Sequence, residues 1–246
     1  DAPDTLYYYC TNHSGMGNSI SVTTDNTKAD QYASNCVLAA PLVGSARDVS
    51  ASIACTSTTK TVTVTNNAAA ANESSNFYSG SFEFDGTDDD VRYASPGAIG
   101  TADFTLECWV NPDIDNANQA TVDTRDDSNN NGTGFSLRDN GTVRMFDGTA
   151  LLGSGGSYTA GKWMHLAGSR SGTSLKFFIN GVLTDEVTNS TNFTNDRLLV
   201  GVIGSNTEDL DGYVQDVRLY RGVAKYTSDF VVPSRSPDIL PDTPLG

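Results

Sequence analysis

One stretch constrains this chain more than any other. From Gly212 the sequence runs GYVQDVRLY to Tyr220, and bulky side chains alternate along it: Tyr213, Gln215, Val217 and Leu219 on one side, Val214, Asp216, Arg218 and Tyr220 on the other. That is the period of two of a β-strand. Both sides are large, which predicts a strand inside a sandwich rather than a free edge. Gly222 then permits a sharp turn, and Val223 to Tyr226 is expected to cross back over the core before Phe230 and Pro233 end the domain.

The rest of the chain reads the same way. Ser, Thr, Asn, Asp and Gly fill the segments between apolar runs, good helix formers are scarce, and no amphipathic helical stretch stands out, so the fold class is all-β, an antiparallel β-sandwich. Asn35 to Val43 reads as a buried, central first strand, and Asp48 to Ala54 with Lys60 to Thr65 as a small hairpin. Asn66 to Asn76 reads as a surface loop. Phe104 to Val110 places Cys108 on one face with Phe104 and Leu106 as a small buried apolar residue. Asn111 to Gly134 is expected to be an exposed polar loop. Two hairpins turn at Asn140-Gly141 and Asn180-Gly181, the preferred dipeptide of a tight turn, and Arg197 to Gly204 is a further buried strand.

Taken in order, SFEFDGTDDDVRY (Ser81 to Tyr93), FTLECWVNP (Phe104 to Pro112), GKWMHLAGSR (Gly161 to Arg170), LKFFINGVL (Leu175 to Leu183) and the terminal GYVQDVRLY resemble the laminin-G-like, concanavalin-A-like jelly rolls. The ending YRGVAKYTSDFVVP is similar to the variant found in structural proteins of marine bacteriophages. The expected organisation is a partial domain over 1–22, a linker over 23–34, the jelly roll over 35–237 and a Pro-rich tail over 238–246, in a chain expected to be a fragment or a processed product. The resemblance implies a fold more firmly than a function.

Acidic residues outnumber basic ones 30 to 15, so the net charge is −15. Such a surface repels phosphates and anionic lipid, which argues against nucleic acid and membrane as partners. It also supplies carboxylates for calcium. The resemblance implies a calcium site that ties the first core strand to the last, with Asp216 and Asp85 as its ligands.

Near the N-terminus, Cys10, His13 and Met16 stand at C-x2-H-x2-M spacing, the soft thiolate, imidazole and thioether set of a blue-copper loop. The loop resembles the C-terminal ligand loop of cupredoxins. A copper site needs another His from an earlier strand and none precedes His13, so 1–22 is read as a cupredoxin-like terminal hairpin without copper. Cys36 and Cys55 could meet if their strands are neighbours, and free thiols are the expectation for a phage protein folded in a reducing cytoplasm.

Glycoside hydrolases share this architecture, but their paired carboxylates in an E-x-D-x-x-E strand have no counterpart here. Glu83, Glu107, Glu186 and Glu208 are isolated, so no enzymatic activity is expected. A sugar site would lie in rim loops 115–133, 147–158 and 189–196, with Tyr158 to stack on a sugar ring and Asn129 and Asn130 to bond hydroxyls. The expected function is a structural and adhesive protein of a bacteriophage virion, a tail fibre or capsid decoration. Its partners are other copies of itself, other virion proteins and a host glycan. The alternative is a carbohydrate-binding module of a secreted or cell-surface bacterial protein.

Overall fold

The computed structural model describes residues 5–9, 17–21, 30–53, 60–76, 79–148 and 150–232. The chain divides into two units, Asp1–Asp30 and Gln31–Gly246. In the first, β1 (Thr5–Tyr9) and β2 (Gly17–Ser21) pair antiparallel with Tyr9 opposite Gly17. Cys10, His13 and Met16 of the copper-like loop lie outside the described residues, as do Cys55 and the tail.

The second unit runs β3 (Cys36–Ala40), α1 (Ser50–Ile53), β4 (Thr61–Thr65), β5 (Ala69–Ala71), β6 (Ser81–Asp85), β7 (Asp90–Ala94), β8 (Phe104–Pro112), β9 (Gln119–Asp123), β10 (Thr133–Leu137), β11 (Val143–Asp147), β12 (Ala150–Gly155), β13 (Met164–Ser171), β14 (Ser174–Ile179), β15 (Val182–Thr188), β16 (Arg197–Val200) and β17 (Asp211–Arg221). These strands form two antiparallel sheets. The front sheet has seven strands in the order β12-β11-β10-β9-β16-β7-β4, and the back sheet eight, in the order β15-β14-β13-β8-β17-β6-β5 with β3 also on β17. Both Asn-Gly hairpins form: Leu137 stands opposite Val143, and Ile179 opposite Val182, with Asn180 and Gly181 at φ 51° and 78° as a tight hairpin turn requires.

The core lies between the sheets. Along the front sheet, register aligns Val91, Val200, Val122, Phe135 and Met145 in one inward row. Phe104, Leu106, Cys108 and Val110 of β8 face them with Phe177 of β14. Phe135 stacks on Phe177 at 5.8 Å between centroids, and Gly168 leaves the space that Met145 fills, since a Cβ there would stand 2.4 Å from its methyl. Emptying such an aromatic position to alanine costs about 3–5 kcal/mol.

β17 is interior, bonded to β8 on one side and to β6 and then β3 on the other. Its simple alternation is broken, however. Asp216 sits at φ 54° and the register with β8 shifts between Gln215 and Arg218, which is a β-bulge. The extra residue changes parity, so Val214 joins Val217 and Leu219 in the core. Tyr220 belongs instead to a second small cluster with Cys36, Ala39 and Val49.

Other expectations are corrected for equally local reasons. Residues 50–53 form a helical turn rather than a strand, because the buried Asp48 carboxylate accepts the Ser50 amide and hydroxyl, the Ala39 amide and the Lys60 amide. β4 pairs only with β7, at the sheet edge. β3 pairs only with β17, and its outer side is covered by the Val49 region rather than by a second strand. The Ala-rich segment contains β5. Asp89 and Asp90 are both buried, Asp89 accepting the Asn67 and Asp85 amides and Asp90 pairing with Arg92 at 2.7 Å.

The segment after β17 crosses the outer face of the back sheet, not the core. Buried Glu107 accepts from Lys225 Nζ at 2.5 Å and Tyr226 hydroxyl at 2.7 Å, and lies 3.2 Å from His165 Nε2. Tyr226 stacks on Phe230 at 3.6 Å, and His165 packs against Trp109 at 5.2 Å. Burial would raise the Glu107 pKa, but the charges and hydrogen bonds of Lys225 and His165, with the charge of Arg218, outweigh it and hold this carboxyl well below the usual range.

Candidate functional site

The outward row of the front sheet, fixed by register, is Thr63, Arg92, Leu199, Asp123, Gly134, Phe146 and Leu151. Its middle is not open. The turn after β16 folds over it: Gly204 donates its amide to Asp123, Arg92 donates to Asn206, and Arg138 pairs with Glu208 at 2.9 Å. Leu199 and Asp123 are therefore buried although they point outward. Here the sequence reading missed a strand, since β9 lies within the supposed loop 111–134. What allows its Asp123 to be buried is Arg125, which grips that carboxylate at 2.7 Å, donates to Gly148 O and lies 5.3 Å from the Phe146 ring centre.

Toward β12 the covering stops, and a second outward row holds Ser136, Arg144 and Ser154 opposite one another on β10, β11 and β12. Directly opposed side chains on neighbouring strands interact. Ser136 is fully buried and its Oγ has no hydrogen-bond partner among the described residues; the buried Nε of Arg144 has none either. Other strand arginines are answered: Arg92 by Asp90, Arg197 by Asp127 at 2.6 Å, Arg218 by Asp216, and fully buried Arg170 by Ala102, Gly100 and Thr191 carbonyls and Asn189. Leu151, at 51% exposure, stands apolar at the edge of this patch. Two adjacent orphaned polar atoms on one sheet face are uncommon in a folded protein, where such groups are nearly always satisfied.

The residues nominated from sequence fall elsewhere. Tyr158 is buried against the core, and its hydroxyl donates to Arg138 O, so it supports the β10–β11 turn rather than presenting a ring. Asn129 clamps the rim by donating to Ser205 Oγ and accepting the Ser205 amide, while exposed Asn130 bonds Ser128 O. Loop 147–158 contains β12, and Asn189 is buried on Arg170. Asp216 gives both carboxylate oxygens to Arg218, at 2.8 and 2.7 Å, and Asp85 lies opposite Asp211 rather than beside Asp216. The two do not come together as calcium ligands, and no group of three metal-ligating side chains forms among the described residues. Arg144 and Ser136 were missed. Their signal was present in TVRMF, where an arginine alternates with Val143 and Met145 across an Asn-Gly turn from a serine.

A profile of the concanavalin A-like lectin/glucanases superfamily, laminin-G type, matches residues 85–225, more than half of the chain. The chain belongs to that superfamily. Solved structures with the same lectin-like fold include the binding domain of botulinum neurotoxin serotype D (TM-score 0.60, 13% identity, 78% of this chain and 49% of that one). Domain 4 of AbnA, a GH43 extracellular arabinanase from Geobacillus stearothermophilus solved with arabinotriose, is similar too (0.56, 19%, 78% and 94%). So is a mutant Trypanosoma rangeli sialidase displaying trans-sialidase activity (0.56, 15%, 77% and 31%). The chain spans about half the length of the neurotoxin binding domain it matches. No curated protein matches it by sequence.

A cavity of about 240 Å³ lies on the back sheet between Ser169, Ser171, Ser174, Lys176, Tyr226 and Thr227. There the lysine is already engaged by Thr227 O and Glu186.

Proposed function

We propose that this domain is a non-catalytic, adhesive glycan-binding jelly roll displayed on a bacteriophage particle, with the outer face of the front sheet as its binding surface. The observation that carries the binding part is the unsatisfied pair Ser136 Oγ and Arg144 Nε on that face. A sugar hydroxyl both donates and accepts, which is what two adjacent orphaned groups call for. Domain 4 of AbnA, solved with a bound arabinose oligomer, supports the reading by analogy of fold. The isolation of the glutamates supports a non-catalytic role: Glu107 is tied to Lys225, Glu208 to Arg138 and Glu186 to Ser174. Multiple copies on one particle would turn weak single contacts into firm attachment.

The virion assignment rests on the likeness of YRGVAKYTSDFVVP to phage structural proteins. The second reading, a module of a larger secreted or surface protein, is favoured by the arabinanase domain, nearly all of which aligns with this chain. Native mass spectrometry separates them: a discrete multimer supports the virion protein, and a monomer supports the solitary module. Repeating it with a chelator tests calcium in the same sample. The glycan reading is tested on an array of neutral and acidic oligosaccharides, and absence of binding to every member overturns it.

A further inference from the structure

We infer that the ligand of the front sheet is a glycan carrying a single carboxylate, such as a terminal acidic sugar, gripped by the guanidinium of Arg144. The inference rests on the glycan-binding reading above and adds its charge class. Arg144 is the strand arginine left without a partner among the described residues: on the same outward face Arg92 has Asp90 and Asn206, and Arg138 beyond the end of β10 has Glu208. Acidic residues exceed basic ones twofold in the sequence, so a guanidinium with no carboxylate in range is not explained by a shortage of partners. Asp185 of β15, which reaches β12, is held by the Ser154 and Glu186 amides.

The guanidinium fork matches a planar carboxylate with two parallel hydrogen bonds, and such charge-assisted pairs are roughly twice as strong as neutral ones. Ser154, opposite Arg144 on β12, is partly exposed and carries a further hydroxyl on this row, and the exposed Leu151 offers an apolar edge for a sugar ring. The net charge of −15 argues for one acidic group rather than a polyanion, because a sulfated or phosphorylated chain would be repelled along its length.

The test compares a sialyl-terminated trisaccharide and a uronic-acid disaccharide with their neutral parents and with a sulfated disaccharide, by isothermal titration on the full chain. The expected result is at least about tenfold tighter binding of a carboxylate-bearing probe. In Arg144→Gln that preference disappears, and in Arg144→Lys, which keeps the charge without the fork, it falls only in part. Unchanged circular dichroism and melting temperature in both variants exclude misfolding as the cause. Equal affinity for acidic and neutral probes, or binding that survives Arg144→Gln, overturns this inference while leaving glycan binding intact, as does binding of the sulfated probe alone. Failure of every probe overturns both.

Discussion

The outer faces of the two sheets have been treated in opposite ways. On the back sheet a buried carboxylate, Glu107, is met by Lys225 and Tyr226 from the segment that crosses it and by His165 of β13, and aromatic rings close over the set. On the front sheet the charges are answered as far as Asp123 and Arg125, and then Arg144 Nε and Ser136 Oγ are left without a partner among the described residues. A paired charge serves stability. Buried polar atoms without a partner among the described residues also occur at Asn76, Asn111 and His165, but only Ser136 and Arg144 stand directly opposite one another on neighbouring strands, and that makes their face the one to probe.

The comparison breaks most visibly at Glu107. Replacing it with alanine leaves Lys225 buried without its partner, and chemical denaturation should show a loss of about 3–5 kcal/mol. The same residue sets an acid limb. Its folded pKa lies below its unfolded value, so its stabilising effect is fully present above the unfolded value of about 4.3 and declines as pH falls below it. Denaturation midpoints measured from pH 6 to pH 2 should fall through that range, and the Glu107→Ala variant should lose part of the slope. A smaller effect, about 1.5–3 kcal/mol, is expected for Tyr226→Ala, which removes both the Phe230 stack and the hydrogen bond to Glu107.

Arg144→Gln sharpens the contrast from the other side: thermal unfolding should change by no more than about 0.5 kcal/mol, because no partner among the described residues is lost. Least of all should change at Cys108, whose thiol is pushed up to about 12 by burial, with Glu107 and Asp216 adding to the effect. Alkylation followed by mass spectrometry should leave it unlabelled until the protein unfolds.

What could be read in advance follows from range. Hairpins at Asn140-Gly141 and Asn180-Gly181 depend on two residues and the alternation beside them, and they form as expected. β9 was illegible because its charged end looks like loop until Arg125 is seen folding back on Asp123, and β12 because Gly153 replaces a core side chain against Phe177. The bulge at Asp216 hides inside a perfect alternation, since only the positions of Val214 and Val217 in one core reveal the extra residue. The Ser136 and Arg144 pair was missed for a different reason. An orphaned group is defined by what does not reach it, and that requires every neighbour to be placed.

β4 carries one more consequence. It ends the front sheet as Thr61 to Thr65, alternating Thr and Val without a charge, and Val64 is 44% exposed. The opposite sheet ends in β15, which sets Asp185 and Glu186 along its length. Charged edges resist strand-to-strand association and uncharged ones permit it. Wherever many copies stand close together, β4 is an uncharged edge, as are β12 and the short β5, on which neighbouring molecules would extend one another's sheets, and a lysine at position 63 would guard against it there.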